Sequence, residues 1–293
     1  MVGATTGSRV DTFTGGTGAD TFVFSGTTGL QDGDLLTGTS GADVIQLNNT
    51  AGAVTAEADF DDIATVTNIT VKDNDGGNAT TAQAIGLTIS AIAETTAQTI
   101  TIDASAITDS NDVLTVTNSA ASTTTLFNIT GGAGADVLAG SNAVDTIVGG
   151  SGVDLITGNV GADILTGGGG ADNFAYTTTT NIQSGIAGAS TATTSAKTDT
   201  ITDFVAGTDN IVFTGTLTAN AQTVDFTDKG DAASISAGLA LLSGVAGEYF
   251  FNTADSQLVM DIDGNGLIQA TDMIINMTDE TGFASTDMDV RIT

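Results

Sequence analysis

Residues 131–175 consist of five nine-residue units in tandem, which read GGAGADVLA, GSNAVDTIV, GGSGVDLIT, GNVGADILT and GGGGADNFA. Each unit has the same two halves. The first half is rich in glycine, which can turn tightly because it takes positive φ readily. The second half starts at an aspartate and continues as a short strand with one inward apolar side chain. A fixed period of this kind predicts a β-solenoid, in which each unit stacks on its neighbours.

Both recurring positions keep the nine-residue register throughout the stretch. The aspartates are Asp136, Asp145, Asp154, Asp163 and Asp172. The apolar residues, two places later, are Leu138, Ile147, Ile156, Leu165 and Phe174. We predict that two units form one coil of eighteen residues. Asp136, Asp154 and Asp172 would then stack along one edge, and Asp145 and Asp163 along the other.

Stacked aspartates would repel one another. Neighbouring strands lie about 4.8 Å apart, so the carboxylates would lie roughly 5 Å apart. At an effective dielectric constant near 20 the repulsion is on the order of 3 kcal/mol per pair. Three such pairs approach about 10 kcal/mol, comparable with the whole stability of a typical domain. Calcium removes this penalty, because it accepts flexible coordination by carboxylate and carbonyl oxygens, and its binding then drives folding.

The units resemble the RTX (repeats-in-toxin) motif GGxGxDxUx, in which U is a large apolar residue. The resemblance implies an all-β fold, a parallel β-roll that binds several calcium ions between successive turns. The implied ligands are the five aspartates and the carbonyls of the glycine turns. These glycines are Gly132, Gly134, Gly150, Gly152, Gly168 and Gly170. The unit at 140–148 departs from the motif, with Asn142, Ala143 and Val144 in its glycine-rich half.

Fainter copies of the repeat occur near the N-terminus. TGSRVDTFT (6–14) runs into GGTGADTFV (15–23), and GLQDGDLLT (29–37) runs into GTSGADVIQ (38–46). We expect calcium ligands at the aspartates of these pairs and inward apolar side chains two places later. The aspartates are Asp11, Asp20, Asp34 and Asp43, and the apolar residues are Phe13, Phe22, Leu36 and Ile45. Solenoid turns without metal are the alternative for this segment.

Residues 49–130 are rich in threonine and alanine and contain short alternating apolar patterns. These are TVTNITV (65–71), IGLTIS (85–90), TITID (99–103), VLTVT (113–117) and LFNIT (126–130). Alternation with many β-branched residues predicts strands. Their irregular spacing favours loosely repeated solenoid coils, and a β-sandwich is the alternative.

Residues 177–197 have low complexity and predict a surface loop. The next segment, TDTITDFVAGTDNIVF (198–213), resembles the one that commonly follows RTX repeats, D-x-I-x-D-F-x-x-G-x-D-x-I. The resemblance implies that Asp199, Asp203 and Asp209 lie at the last ion sites. It also implies that Ile201, Phe204 and Ile211 cover the open end of the roll. A cap is needed because a bare solenoid end exposes unpaired strand edges.

The stretch DIDGNGLIQATD (261–272) has two interpretations. Asp261, Asp263, Asn265 and Asp272 fit an EF-hand or dockerin calcium loop. A strand, an Asp/Gly/Asn turn and the run at 270–275 resemble instead a serralysin-like RTX tail, whose turn can be metal-free. The close at 282–293 resembles the C-terminus that such proteins present to a type I secretion channel. We favour the tail, preceded by a helix within 231–244 and a hairpin over 248–260.

Composition excludes several classes of function. The 293 residues contain 35 acidic and 5 basic side chains, a formal net charge of −30, and no Cys, His, Pro or Trp. Nucleic-acid binding is excluded because nothing would neutralise phosphates. Membrane insertion is not expected, since no run of eighteen apolar residues occurs. Catalysis by His or Cys is impossible, and with two Tyr and no Trp a glycosidase cleft is not expected either, so we predict that the chain is not an enzyme.

Three functions fit these observations. The favoured one is a calcium-binding structural protein, secreted to the bacterial cell surface, that self-assembles as RTX-type surface-layer (S-layer) proteins do. The alternatives are a secretion and folding module of a larger type I secreted enzyme, toxin or adhesin, and a carbohydrate-associated adhesin. The first ten residues lack the apolar core of a secretory signal peptide, so an export signal would lie elsewhere. The partners expected are calcium, other copies of the chain, the type I secretion machinery and cell-surface polysaccharide.

The sequence divides into five predicted segments. They are N-terminal repeat pairs (1–48), Thr/Ala-rich coils (49–130), the β-roll (131–176), a loop (177–197) and a β-rich cap with a secretion-like tail (198–293).

Overall fold

The structure, a computed structural model, describes part of the chain. The described residues are 2–3, 12–25, 35–37, 43–49, 54–56, 63–64, 68–73, 82, 84–89, 98–118, 123–177, 198–214, 218–219, 222–223, 227–245, 247–262, 266–267, 272–278 and 288–291. The chain forms two compact units, Met1–Leu155 and Ile156–Thr293. Their boundary falls within the predicted roll at 131–176.

The first unit is built from parallel strands. One sheet contains β1 (Val2–Gly3), β3 (Thr21–Ser25), β5 (Val44–Asn49), β8 (Asn68–Asp73), β10 (Gln98–Asp103), β12 (Thr125–Thr130) and β14 (Thr146–Ser151), in that order. A second contains β6 (Val54–Ala56), β9 (Ala84–Ile89), β11 (Val113–Asn118) and β13 (Val137–Ala139). A third contains β2 (Thr12–Thr14), β4 (Leu35–Thr37) and β7 (Ile63–Ala64). Strand β15 (Leu155–Thr157) starts at the last residue of this unit.

Columns of apolar side chains hold the parallel strands in register. In the first sheet the column is Phe22, Ile45, Ile69, Ile102, Ile129 and Ile147. In the second it is Leu87, Val116 and Leu138. All of these side chains are buried, and each contributes about 1.5–3 kcal/mol on leaving water. A slip of one residue would turn the whole column outward, so burial fixes the register.

The strands predicted between residues 65 and 130 are present as β8 to β12, and the first of them starts three residues late, at Asn68. They pair in parallel with partners one coil away. The sandwich alternative is therefore wrong for this segment, because a sandwich of this class is antiparallel. The solenoid interpretation is confirmed.

The second unit combines parallel and antiparallel pairing. One sheet has the order β16 (Ile164–Gly169), β18 (Thr200–Ile201), β25 (Met273–Met277), β24 (Gln257–Asp261), β23 (Glu248–Asn252) and β22 (Thr227–Ala232). Another contains β17 (Asn173–Thr177), β19 (Asn210–Thr214) and β26 (Met288–Arg291), and β20 (Thr218–Ala219) pairs with β21 (Gln222–Thr223). The predicted hairpin over 248–260 is the antiparallel pair of β23 and β24.

The helix predicted within 231–244 is much shorter than that range. Helix α1 spans Ile235–Leu239, and the Ser234 Oγ caps it by accepting the Ala237 N–H at 3.1 Å. Residues up to Ala232 belong to β22 instead. Inside the helix Gly238 rests on Phe250, since a Cβ there would overlap the Phe250 ring. The helix thus serves as a small lid on an apolar cluster. No described helix has the length and apolar character that crossing a bilayer requires.

A buried carboxylate joins β22 and β23. Glu248 is ion-paired with Lys229 Nζ at 3.1 Å and also accepts hydrogen bonds from Ser243. Burial alone would raise the pKa of Glu248, but the bonds from Ser243, Lys229 and Val245 together lower it to about 2. The charge of Glu248 is therefore satisfied within the protein by a cation and several donors.

Candidate metal centre

Two repeat aspartates of the first unit, Asp136 and Asp145, each accept hydrogen bonds from two parts of the backbone at once. Asp136 Oδ1 accepts the Leu114 N–H from the preceding coil, and its Oδ2 accepts the Gly132 N–H of its own turn, both at 2.7 Å. Asp145 does the same with Phe127 at 2.6 Å and Ser141 at 2.5 Å. The carboxylates therefore connect successive coils through hydrogen bonds that do not require a metal.

The spacing of these bonds shows the coil length. Asp154 Oδ1 accepts the Asp136 N–H at 2.7 Å, eighteen residues back. The bond from Phe127 to Asp145 spans the same eighteen residues. The prediction of two units per coil is confirmed for these residues. The stacking predicted for Asp145 with Asp163 and for Asp154 with Asp172 joins the two units and stays a prediction.

The second unit has carboxylate-to-backbone bonds of the same kind, with a longer step in sequence. Asp199 Oδ1 accepts the Asp163 N–H, and Asp209 Oδ1 accepts the Asp172 N–H, both at 2.9 Å. These steps span 36 and 37 residues, because the predicted loop at 177–197 is inserted between them. That loop lies outside the described residues, except for Thr177 at the end of β17. The segment after it resumes the coil that the repeats began.

The apolar side chains of this segment are buried in register with those of the repeats, and their predicted role of covering the open end of the roll stays a prediction. Ile201 lies in register with Leu165, and Ile211 with Phe174. Ile201, Phe204 and Ile211 are all buried. Strand β25 then pairs with β18 and continues the sheet, so the segment is followed by further strands of the second unit.

The carboxylates are buried, and burial works against their charge. The five repeat aspartates, with Asp199 and Asp209, expose at most 4 % of their surface. Burial raises the pKa of Asp136 and Asp145 to about 6, although the N–H donors act in the opposite direction. It raises the pKa of Asp209 as well. These hydrogen bonds are thus too few to hold the negative charge at neutral pH without cost.

Glycine is required at the first place of the first, fourth and fifth units because the carboxylate lies over it. A Cβ on Gly131 would overlap Asp136 Oδ2. The same overlap would occur between Gly158 and Asp163 and between Gly167 and Asp172. The acid and the glycine five residues before it therefore form one steric unit, which explains why they recur together.

The other two glycines of the turn bring carbonyl oxygens of successive coils close together. Gly150 and Gly152 have φ of +117° and +127°, a backbone conformation that favours glycine. Their α-carbons lie against the carbonyl oxygens of Gly132 and Gly134, where a Cβ would overlap them. The equivalent glycines of the fifth unit, Gly168 and Gly170, also have positive φ. Each pair of turns thus offers carbonyl oxygens beside buried carboxylates.

This donor set fits calcium. Calcium takes six to eight oxygen ligands with flexible geometry. Among the described residues no three acidic side chains cluster closely enough to hold a metal by themselves, so carbonyl oxygens must complete any coordination shell. The residues that would hold the ions are the ladder aspartates and the glycine carbonyls at 132, 134, 150, 152, 168 and 170. When bound, calcium supplies the positive charge that the buried acids lack.

The N-terminal repeats contain a shorter version of the same arrangement. Asp43 Oδ1 accepts the Asp20 N–H at 2.9 Å, and Asp20 Oδ2 accepts the Gly16 N–H at 2.6 Å. Phe22 and Ile45 lie in register and are buried as predicted. Asp43 Oδ2 is buried and accepts no hydrogen bond from the described part of the chain. Such an oxygen is an available ligand for a cation, whereas Asp11 and Asp34 lie outside the described residues.

Two predicted acidic sites in the second unit have backbone roles. The Asp203 oxygens accept the N–H groups of Gly167 and Gly168 at 2.9 and 2.7 Å. Asp261 Oδ2 accepts the Gly266 N–H, and Asp272 Oδ1 accepts the Ile262 N–H, both at 2.8 Å. Asp263 and Asn265 lie outside the described residues. Strands β24 and β25 flank this loop, so the paired helices of an EF-hand are absent from its two flanks.

Sequence reasoning missed the residue that replaces glycine in the irregular unit at 140–148. The Ser141 Oγ donates to Asp145 Oδ1 and accepts the Ala143 N–H, both at 2.9 Å. A local turn held by side-chain hydrogen bonds thus replaces the turn that glycine forms in the regular units. In the fourth unit Asn159 takes φ of +69° at the matching place, which asparagine tolerates better than most residues. The available signal in the sequence was Ser141, a small polar residue at the place where the regular units have glycine.

Replacement of Ser141 by alanine is expected to weaken the first unit. Loss of the hydroxyl's bond to the buried Asp145 carboxylate and of its bond from the Ala143 N–H should cost about 1–2 kcal/mol. Urea denaturation in saturating calcium measures this as a lower midpoint with an unchanged slope. Ser151→Ala is the matched control, because Ser151 occupies an exposed place in the next unit and should change little. Equal midpoints for the two variants would show that the Ser141 hydroxyl is dispensable.

Comparison with protein families agrees with this geometry. The family model of the RTX calcium-binding nonapeptide repeat matches the chain at residues 5–23, 28–49, 128–147 and 140–174. The chain therefore carries RTX calcium-binding repeats, and these repeats bind calcium. Repeats of this kind typify secreted, extracellular proteins. Comparison with curated proteins gives no match to this chain.

Proposed function

We propose that this protein is a secreted structural protein that folds on binding calcium and then assembles with its own copies into an extracellular layer or filament. The observation that carries the proposal is the burial of the aspartate ladder, whose charge needs a counter-ion. Calcium is scarce in the cytosol and plentiful outside. The chain would remain unfolded during export and fold after it, which suits passage through a type I secretion channel.

Surface features of the first unit support self-assembly. Val144 and Val153, each next to a ladder aspartate, are 48 % and 53 % exposed, and Val137 is 37 % exposed. Exposed apolar side chains on a surface otherwise rich in acids suit contacts between copies. With a formal charge of −30, copies repel each other unless dications lower the charge. Calcium would thus control both folding and assembly.

We further propose that the chain has no catalytic activity, because it lacks His and Cys and its acids serve the backbone. A second function remains in competition: the chain acts as a calcium-dependent secretion and folding module of a larger exported protein. The RTX repeats themselves favour this alternative as much as they favour a structural role. Binding to cell-surface polysaccharide is a third possible outcome of an assembly experiment.

Assembly is tested by adding millimolar calcium to purified protein and following it by sedimentation and electron microscopy. We expect sheets or fibres in calcium and none in chelator. The double variant Val144→Ser with Val153→Ser should melt like the parent in calcium but assemble only at several-fold higher protein concentration. Ala106→Ser, also on an exposed residue of the first unit, is the control. A folded monomer at every concentration would favour the module, and retention on a polysaccharide column would favour the adhesin.

A further inference from the structure

We propose that the loop at residues 104–112, which precedes the repeats, forms an additional calcium site with Asp109 as its carboxylate ligand. The family match in this part of the chain starts only at residue 128, so the loop is not a recognised repeat. The inference rests on calcium binding by the adjoining repeats and is independent of assembly.

The loop meets the first repeat turn as one repeat turn meets the next. The Ala133 N–H donates to the Ile107 carbonyl at 3.0 Å, as the Ser151 N–H donates to the Gly132 carbonyl at 2.9 Å. The α-carbon of Gly134 lies against the Asp112 carbonyl, where a Cβ would overlap it. The carbonyls of Ile107 and Asp112 therefore occupy, one coil earlier, the places that Gly132 and Gly134 hold in the roll.

This coil lacks an aspartate at the ladder place and has acids in its turn instead. Asp136 Oδ1 accepts the Leu114 N–H, just as Asp154 Oδ1 accepts the Asp136 N–H one coil later. Leu114 therefore occupies the ladder place of its coil, and an apolar side chain stands there instead of a carboxylate. In compensation, the loop from Ile107 to Asp112 is three residues longer than the corresponding Gly132-to-Gly134 step. Asp109 lies in this insertion and is 4 % exposed.

One oxygen of Asp109 is committed to the loop and the other is not. Asp109 Oδ1 accepts the Asn111 N–H at 3.0 Å, and Asn111 Nδ2 also reaches it at 3.3 Å. Asp109 Oδ2 is buried and accepts no hydrogen bond from the described residues. A buried carboxylate oxygen without a donor is costly unless a cation neutralises it. The buried oxygen and the Ile107 and Asp112 carbonyls of the same loop are hard ligands of the kind that calcium selects.

Such a site would fasten the irregular coils to the start of the calcium roll. The test is Asp109→Asn, because asparagine keeps the oxygen that accepts the Asn111 N–H and removes only the charge. Calcium per folded chain, counted by native mass spectrometry, should fall by one. In chelator the variant should melt no lower than the parent, since it lacks a buried uncompensated charge. Asp103→Asn is the matched control, because Asp103 is half-buried in the same segment and accepts from Ser105.

An unchanged calcium count in Asp109→Asn, or an equal loss in Asp103→Asn, would overturn the proposal. If Asp109→Asn does not fold, crystals of the parent protein grown in calcium decide the matter. An anomalous scattering peak beside Asp109 supports the site, and its absence, with peaks present along the repeats, overturns it. Failure of the protein to form sheets or fibres would leave this count unaffected, so the two proposals fail separately.

Discussion

Chelation of calcium at neutral pH is expected to unfold the repeats of residues 131–175. The pKa of Asp136 and of Asp145 rises from 3.8 to about 6 through burial, so holding each of them charged costs about 3 kcal/mol. Both are fully buried, as are the other three ladder aspartates. Together these two aspartates cost about 6 kcal/mol, comparable with the whole stability of a typical domain. Bound calcium cancels this cost, so removing calcium should abolish most of the β-structure of the repeats.

Asp136 and Asp145 also predict an unusual pH dependence for the calcium-free protein. Their pKa is higher in the folded state than in the unfolded chain, so the folded state binds more protons between about pH 4 and pH 6. Its stability therefore falls as pH rises through that window, and the calcium-free protein should be more ordered near about pH 5 than near about pH 8. With calcium present the trend should reverse, because protons and calcium compete for the carboxylates.

Circular dichroism and calorimetry with and without chelator, at both ends of this window, measure the effect. Magnesium is the control ion, since it prefers rigid octahedral sites and retains its water, and it should not restore the transition. An identical melting transition in calcium and in chelator at neutral pH would contradict the role assigned to the ladder.

Much of this fold follows from short-range patterns in the sequence. The nine-residue period correctly predicts the inward positions. A strand alternates faces, and the period puts Leu138 and Ile147 at the same place in their units, so both point inward. The same period gives the eighteen-residue coil that the bond between Asp136 and Asp154 shows. The alternating segments before residue 131 correctly predict strands for the same reason.

Other features depend on contacts that no local pattern reveals. The second unit changes from parallel to antiparallel pairing at β25, which depends on how distant segments meet. Helix α1 is shorter than its alanine and leucine content suggests, because β22 takes the preceding residues up to Ala232. The sequence predicts mainly repulsion between the carboxylates, whereas the structure shows that they also accept backbone N–H groups. The repulsion between carboxylates and their hydrogen bonds to the backbone act in opposite directions. Together they determine how much calcium the folded repeats need.

The Ser141 and Asp109 contacts illustrate a third limit of prediction. Neither residue fits the nine-residue motif, so a motif search passes over both. Each becomes informative only when the coil beside it is known, because its role is to occupy a place that glycine or aspartate holds one coil away. Irregular coils of a solenoid are thus best interpreted by their register with regular ones.

Replacement of Gly152 by alanine is expected to destabilise the protein far more than the same change at Gly207 or Gly169. Gly152 combines φ of +127°, which L-residues rarely adopt, with direct contact between its α-carbon and the Gly134 carbonyl. Backbone strain of this kind costs about 1–3 kcal/mol. The new methyl group must also push two successive turns apart, and that displaces the carbonyls that face the calcium. We expect a total above about 4 kcal/mol, enough to prevent folding at ordinary calcium concentrations.

The other two glycines separate these causes. Gly207 has φ of +78° but no atom within 4 Å of the place that a Cβ would take, so Gly207→Ala adds strain without overlap and should cost about 1–2 kcal/mol. Gly169 is exposed, has equally open space around that place and is not in the left-handed region, so Gly169→Ala should change stability by less than about 0.5 kcal/mol. Calcium titrations followed by circular dichroism rank the three variants. If Gly152→Ala resembles Gly207→Ala, the turns are not in contact, and carbonyls of successive coils cannot share a calcium ion in this roll.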